Sequence, residues 1–417
     1  MKSGIARLNR ALALVLPFLC LLSFALAATA QLQPGTIDTY VGGSNGDGEA
    51  AINATINPRG LALAGNPSAP DVYIADSTNN RVRRVDGNTG LITTVAGNGI
   101  GGYAGDGNQG QNASLFLPFD VAVDGAGNVY IADTSNSRIR KVGTDGRIST
   151  FAGNGNQTYS GEGIATQVAI NQPYGVAVGP DGSVYIADTA NNRIRKVGPP
   201  GCTASTCVIS TVAGNGRPGF LGDGGQATQA EVSSPDDVTV DSTGVLYIAD
   251  TSNNRVRRVA LDGTISTVAG GGTSLADGVP GTQAKLSSPG QVALDSSGNV
   301  YVTENGGYRI RMLQAASFTI STVAGTGTAG NSGDGGPPTG AQISSAYGVA
   351  ASTPGTFWLS QSNASQPITH NNRVRMVTNS SVIQAAIGGG LGDGSAATDA
   401  FVDPRGGEAA TDGCLDD

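Results

Sequence analysis

Gly127–Val142 reads GNVYIADTSNSRIRKV, two short apolar runs on either side of four polar residues. Val129–Ala132 and Arg138–Val142 carry the β-branched and aromatic residues of strands, and Thr134–Ser137 has the composition of a turn. In an antiparallel hairpin Asp133 and Arg138, which flank the turn, stand opposite each other with their side chains on one face. The stretch returns as DVYIADSTNNRVRRV from Asp71, GSVYIADTANNRIRKV from Gly182 and GVLYIADTSNNRVRRV from Gly244. Two altered copies follow, GNVYVTENGGYRIRML from Gly298 and a divided one between Thr356 and Val377. Asp76, Asp133, Asp188, Asp250, Glu304 and Gln361 mark the same point of each copy, at spacings of 57, 55, 62, 54 and 57 residues. A period of this size identifies a repeat architecture and overrides the two or three domains that 417 residues would otherwise suggest.

Each hairpin sits in a longer unit. A first strand of the GVAVD type precedes it: Leu61–Ala64, Asp120–Asp124, Gly175–Val178, Asp237–Asp241, Gln291–Asp295 and Gly348–Ala351. A fourth strand of the ISTVAG type follows, and a Gly-rich loop of the form GDGxxAxxAxLxxP leads to the next unit. Six units of four antiparallel strands predict an all-β chain folded as a β-propeller, in which each sheet buries both faces against its neighbours. A linear solenoid is the alternative, but it would need polar caps at both ends, and none is evident.

The copies YIADTSNSRIRK, YIADTANNRIRK and YIADTSNNRVRR, each preceded by a segment of the PxGVAVDxxG type, resemble NHL repeats. The resemblance covers about residues 36–406. It implies a six-bladed β-propeller of four-stranded antiparallel blades whose first strands line a central channel. No GH…WD pattern is present, which argues against WD-repeat blades. The expected organisation is a signal peptide over 1–30, the propeller over 36–390, and a partial repeat with a tail over 391–417.

The two ends compete for one place in such a ring. Ile37–Gly43 matches Val382–Gly388, and Gly46–Gly60 (GDGEAAINATINPRG) matches Gly392–Gly406 (GDGSAATDAFVDPRG) without a gap. The expectation is that the N-terminal strand docks as the outer strand of the sixth blade and displaces the C-terminal copy. A longer chain continuing into further repeats is the alternative.

Lys2, Arg7 and Arg10 followed by an apolar run, Ala11–Leu26, and by Ala28-Thr29-Ala30 have the form of a cleaved secretory signal. The run is short for an uncleaved membrane anchor, which needs ~20 residues, and nothing later is apolar enough to span. Loss of this segment takes the formal net charge from −8 to −11. Fourteen of the twenty arginines belong to the RIRKV-type strands, so no basic stripe is left for nucleic acid. Cys202 and Cys207 flank a four-residue insertion in the third repeat and are expected to form a disulfide, in keeping with a secreted protein. Cys414 is odd, and the sequons at Asn53, Asn112, Asn156, Asn363 and Asn379 are about as many as chance supplies in an Asn-, Ser- and Thr-rich chain.

Repetition separates structural from functional candidates. The pairs Asp76–Arg81, Asp133–Arg138, Asp188–Arg193, Asp250–Arg255 and Glu304–Arg309 recur and read as hairpin locks. Asp47, Asp106, Glu162, Asp223, Asp277, Asp334 and Asp393 stand in GDG-like loops. One carboxylate per loop fits a turn better than a calcium loop, which needs several oxygens. The only histidine, His370, leaves no zinc set and no triad of the Ser-His-Asp kind with a GxSxG elbow. No catalytic residue, metal or cofactor is therefore expected. A calcium-dependent hydrolase of the lactonase type, using Asp120, Asp236 and Asp237, is the alternative, and a sensor or adhesion domain of a larger chain is a third reading.

In a propeller the loops from fourth to first strands and from second to third strands share one face. The residue after each loop proline, or after Ala346 in the sixth repeat, then marks the mouth of the channel, and it varies among the repeats: Arg59, Phe119, Tyr174, Asp236, Gly290 and Tyr347. The next position adds Asp120, Asp237 and Gln291. Aromatics and carboxylates around a concave mouth suit a ligand site. The expectation is a secreted, monomeric, non-catalytic propeller that binds a protein or carbohydrate there, with no nucleic-acid partner and no membrane span once the signal is removed.

Overall fold

Alternating apolar residues bounded by Gly-, Asn- and Asp-rich turns produce short strands, and the strands assemble into six antiparallel sheets. The computed structural model describes residues 47–198, 202–203, 205–362, 372–378 and 382–388. The signal segment, the N-terminal strand at Thr36–Gly43, His370, Cys414, the sequons at Asn363 and Asn379 and the repeat from residue 391 onward lie outside the described residues. The first blade contains Pro58–Ala64, Asp71–Asp76, Arg81–Val85 and Ile92–Ala96, in that spatial order from the channel outward. The other inner strands are Asp120–Val123, Pro173–Val178, Pro235–Val240, Pro289–Leu294 and Ala346–Ala351. Each inner strand packs against those of both neighbouring blades, and the first packs against the sixth, which closes a six-bladed β-propeller. Two blades carry a fifth, two-residue strand on the outer edge, Gly163–Ile164 and Val279–Pro280.

The second strand of each blade explains why closure is favourable. Val129–Asp133 and its five equivalents are buried along their whole length, because neighbouring blades cover both faces of the sheet. The core accordingly sits between blades. One cluster joins Tyr130, Ala132 and Ile139 to Val176, Val184 and Ile186 of the next blade. Another joins Leu61, Val72 and Ile74 to Trp358, Val374 and Ile387 across the closing seam. Each buried Val, Leu or Ile contributes ~1.5–3 kcal/mol of transfer free energy.

At that seam the structure departs from the sequence expectation. The outer strand of the sixth blade is Ile383–Gly388, paired with Arg373–Val377, so the C-terminal copy takes the place expected for the N-terminal one. The loop beginning at Asp47 then bridges the sixth and first blades. Its 3-10 turn, Ala51–Asn53, packs on Ile383–Gly388 while Asp47 pairs with Arg83 of the first blade.

The hairpin register is the one the sequence implied: Asp76, Asp133, Asp188, Asp250 and Glu304 stand opposite Arg81, Arg138, Arg193, Arg255 and Arg309. The ion pair, however, goes to the second arginine of the strand. Asp133 pairs with Arg140 at 3.3 Å, Asp188 with Arg195 at 3.2 Å, Asp250 with Arg257 at 3.1 Å and Glu304 with Arg311 at 3.4 Å. Residues two apart share a face of the strand, so register alone could not choose between the two arginines. The first arginine instead donates to backbone carbonyls, Arg138 to those of Asn136 and Asn154, and lies 3.7 Å from the centre of the Tyr103 ring.

The buried arginine has a second anion. Asp106, in the preceding GDG loop, also binds Arg140, and Asp47, Asp223, Asp277 and Asp334 bind Arg83, Arg257, Arg311 and Arg375. These acids are therefore anchors and not only turn formers. In the third blade Glu162 accepts the Thr211 N–H, and the Gly161 carbonyl takes the place on Arg195. A disulfide joins Cys202 and Cys207, the latter fully buried.

Removing Arg140 would leave Asp133 buried without its counter-charge. Arg140→Met is expected to destabilise the propeller by ~3–5 kcal/mol. Arg138→Met, which removes carbonyl contacts and a ring contact at a half-buried site, should cost about 1 kcal/mol. Denaturant unfolding of the two variants checks the order; equal losses would mean that the buried ion pair has no special weight.

Candidate functional site at the mouth of the channel

Five of the six loops end on a proline at or just before an inner strand, and the sixth ends on Ala346, which starts its strand. Pro58, Pro173, Pro235 and Pro289 pair in register with the acid that closes the second strand of the same blade. The following residue is thereby set at the mouth, on the same face as the hairpin turns. In ring order the mouth carries Arg59, Phe119, Tyr174, Asp236, Gly290 and Tyr347. All eight residues expected at a ligand site line one cavity there, of about 30 Å³, together with Gly60, Gly175, Gly290 and Asn305. That volume holds a water or two, so anything larger would rest on the rim.

The rim is ordered by stacking. Phe119 and Tyr174 lie face to face with centroids 4.2 Å apart, 18° from parallel. The Arg59 guanidinium sits 3.5 Å from the centre of the Tyr347 ring and 4.9 Å from that of Phe119. Among the described residues no carboxylate pairs with Arg59, and its Nε is buried without an acceptor. Gly290 leaves the gap in the ring: a Cβ there would meet Thr303 Oγ1 and Asn305 Nδ2. The Asn305 Oδ1 is likewise buried without a donor. Asn305 was not among the expected residues. Its signal was available, since the corresponding position holds Ser77, Thr134, Thr189 and Thr251 in the first four repeats. Three of those hydroxyls, on Thr134, Thr189 and Thr251, bond the proline carbonyl of the next blade.

One layer deeper, Asp120, Asp237 and Gln291 tie the blades together. Asp120 accepts the Val176 N–H at 2.9 Å and the Gln291 amide at 2.7 Å. Asp237 accepts the Val292 N–H at 2.9 Å. The Gln291 Oε1 accepts the N–H groups of Val349 and Leu61, at 2.8 and 3.2 Å. These N–H groups belong to strand edges that no strand covers, and side chains from other blades cap them. Room for the caps comes from glycine: a Cβ on Gly60 would fall 2.0 Å from Asp120 Oδ1, and one on Gly175 2.4 Å from Asp237 Oδ1. Three of the eight expected ligand residues thus hold the ring as well as line it.

Burial with few countercharges pushes these acids up. Asp120 is raised to about 7, chiefly by burial, against the pull of the Val176 and Val121 N–H groups and Gln291. Asp237 is raised well above the usual carboxylate range by burial and then by Asp120. Asp236 is raised to about 7 by burial, against the Thr251 hydroxyl and the charge of Arg59. Among the described residues no cluster of three or more His, Cys, Asp or Glu has the geometry to hold a metal ion.

Comparison with known proteins agrees with the repeat pattern. The family pattern described as NHL repeat matches residues 171–197 and 233–259. Mouse Teneurin-3 is 30% identical over 60% of this chain, and the chicken NHL repeat-containing protein 2 is 27% identical over 70% of it. This chain spans 10% and 44% of those two proteins. A structure titled as an auxiliary nutrient binding protein from Bacteroides ovatus ATCC 8483 superposes with a TM-score of 0.55 at 15% identity, covering 80% of this chain and 71% of that one. At that identity it shows the shared fold alone. No helix of the described residues is long and apolar enough to cross a membrane.

The folded chain holds the channel protons to higher pH than an unfolded chain does. Stability from this source is therefore present at low pH and is lost as pH rises from about 4 to about 7. Asp237→Asn keeps an acceptor for the Val292 N–H and removes a charge. It is expected to raise stability at pH 8, with little gain at pH 4. Melting curves at the two pH values check this; an equal shift at both would show that the channel acids do not titrate between them.

Proposed function

We propose that this NHL-repeat six-bladed β-propeller is a secreted, non-catalytic binding module whose protein or carbohydrate ligand docks on the loop face, around the mouth of the central channel. One observation carries the reading. A scaffold that repeats its strands and buried arginines six times, and its hairpin acid five times, varies at the residue where each loop turns into the inner strand, and those variable residues converge on one mouth. Residues that only held the fold would be expected to repeat with it. The deeper acids support a binding role over a hydrolytic one, since Asp120 has both carboxylate oxygens engaged, by the Val176 N–H and by Gln291. Secretion is supported by the signal-like residues 1–30 and by the Cys202–Cys207 disulfide.

Asp236→Ala combined with Tyr174→Ala is expected to abolish binding to any ligand found on arrays of glycans and extracellular proteins, with little change in melting temperature. Leu261→Ala with Asp262→Ala, at an exposed turn between third and fourth strands on the opposite face, should leave binding intact. Binding that survives the first pair and fails with the second would move the site to the other face.

A further inference from the structure

We propose that the ligand group recognised at the mouth is the carboxylate of an acidic sugar, a uronic acid residue, held by Arg59. This rests on the mouth being the binding site and adds the chemistry of what binds. Arg59 is the unusual cation of the fold. The second arginines of the third strands are locked to carboxylates, and Arg138, Arg193 and Arg255 donate to backbone carbonyls. The Arg59 guanidinium instead makes ring contacts, with Tyr347 and Phe119 on neighbouring blades, and has no hydrogen bond or ion pair among the described residues. Stacking holds the planar fork in place without using its donors. A guanidinium fixed in this way is prepared for two parallel N–H···O bonds to a carboxylate. Across the mouth, Asp236 donates its backbone N–H to the Thr251 hydroxyl and stands beside Tyr174.

The surroundings favour a sugar over a peptide as the bearer of that carboxylate. An extended peptide binds by adding to a free strand edge, and here the edge N–H groups of Leu61, Val176, Val292 and Val349 are already capped. The cavity admits only a small group, while Phe119 and Tyr174 form a flat stacked pair beside it. A pyranose resting on the rim can lay its C–H face on the side of the Tyr174 ring turned away from Phe119 and direct its carboxylate to Arg59. Tyr103, Tyr159 and Phe220, each half-exposed over Arg138, Arg193 and Arg255, repeat the aromatic–arginine pairing farther out on the same face and offer contacts to a longer chain.

The test is titration calorimetry of the full chain with oligosaccharides of galacturonate, glucuronate and mannuronate, their methyl esters, the free monosaccharides and a poly-glutamate peptide. At least one uronate oligosaccharide should bind, its methyl ester at least tenfold more weakly. Arg59→Ala should lose at least tenfold without a fall in melting temperature. Arg59→Lys should recover only part of the loss, because it lacks the planar fork. Weaker binding of the monosaccharide would show that the outer aromatics take part, and equal binding would confine recognition to the mouth; both support the proposal. Uronates that fail to bind, or that bind ester and acid alike, overturn it. Poly-glutamate binding that depends on Arg59, without uronate binding, overturns the sugar but keeps the mouth as the site. Uronate binding unaffected by Arg59, Tyr174 and Asp236 variants overturns both the proposal and the site.

Discussion

A buried guanidinium between two carboxylates is the constraint on which this fold depends. Arg83, Arg140, Arg257 and Arg311 are almost fully removed from water, and each faces the acid of its own hairpin and the acid of the loop that enters the blade. Such a charge would be costly to bury alone, and it is tolerated because both anions are brought to it. The two acids respond differently. Asp133 is pushed up to about 6 by burial, against the Phe116 N–H, Asn136 and Arg140. Asp106 is half-exposed and is held below its usual value, the Thr150 bond and Arg140 outweighing its burial. The consequence is mechanical. The loop cannot leave the blade without stranding the arginine, so the path from one blade to the next is fixed, and with it the point at which the chain turns into the channel.

That fixed turn makes the mouth available for chemistry. Once the proline is set, the following side chain can change without disturbing the blade. The next one inward is less free: it must be glycine, or it must cap an open strand edge in a neighbouring blade. The mixture of three glycines and three larger residues, Gly60, Asp120, Gly175, Asp237, Gln291 and Gly348, is the outcome of that packing, since each larger residue occupies space that an adjacent glycine vacates. Stability and recognition therefore meet at adjacent positions of one strand, with Asp236 at the rim and Asp237 in the staple.

Strand order, blade number and hairpin register were legible because they repeat, and the mouth positions were legible because they do not. What repetition could not reveal was which of two arginines on one strand face pairs with the hairpin acid, because both recur with equal fidelity. The role of the GDG acids was hidden for a related reason: Asp106 and Arg140 are 34 residues apart and belong to consecutive repeats of the pattern. The staple from Gln291 to Asp120 spans 171 residues and arises from closure of the ring, which leaves no local mark. Which end supplies the outer strand of the sixth blade was not legible, since Ile37–Gly43 and Val382–Gly388 are similar in sequence; in the structure Ile383–Gly388 pairs with Arg373–Val377.

The central claim is that the hairpin acid acts through the buried arginine and not through its register partner. A pair of double-mutant cycles measured by denaturant unfolding tests it, combining Asp133→Asn with Arg140→Met in one and with Arg138→Met in the other. The account predicts a coupling of about 1–3 kcal/mol between Asp133 and Arg140 and less than about 0.5 kcal/mol between Asp133 and Arg138. A larger coupling to Arg138, or none to either arginine, would contradict it.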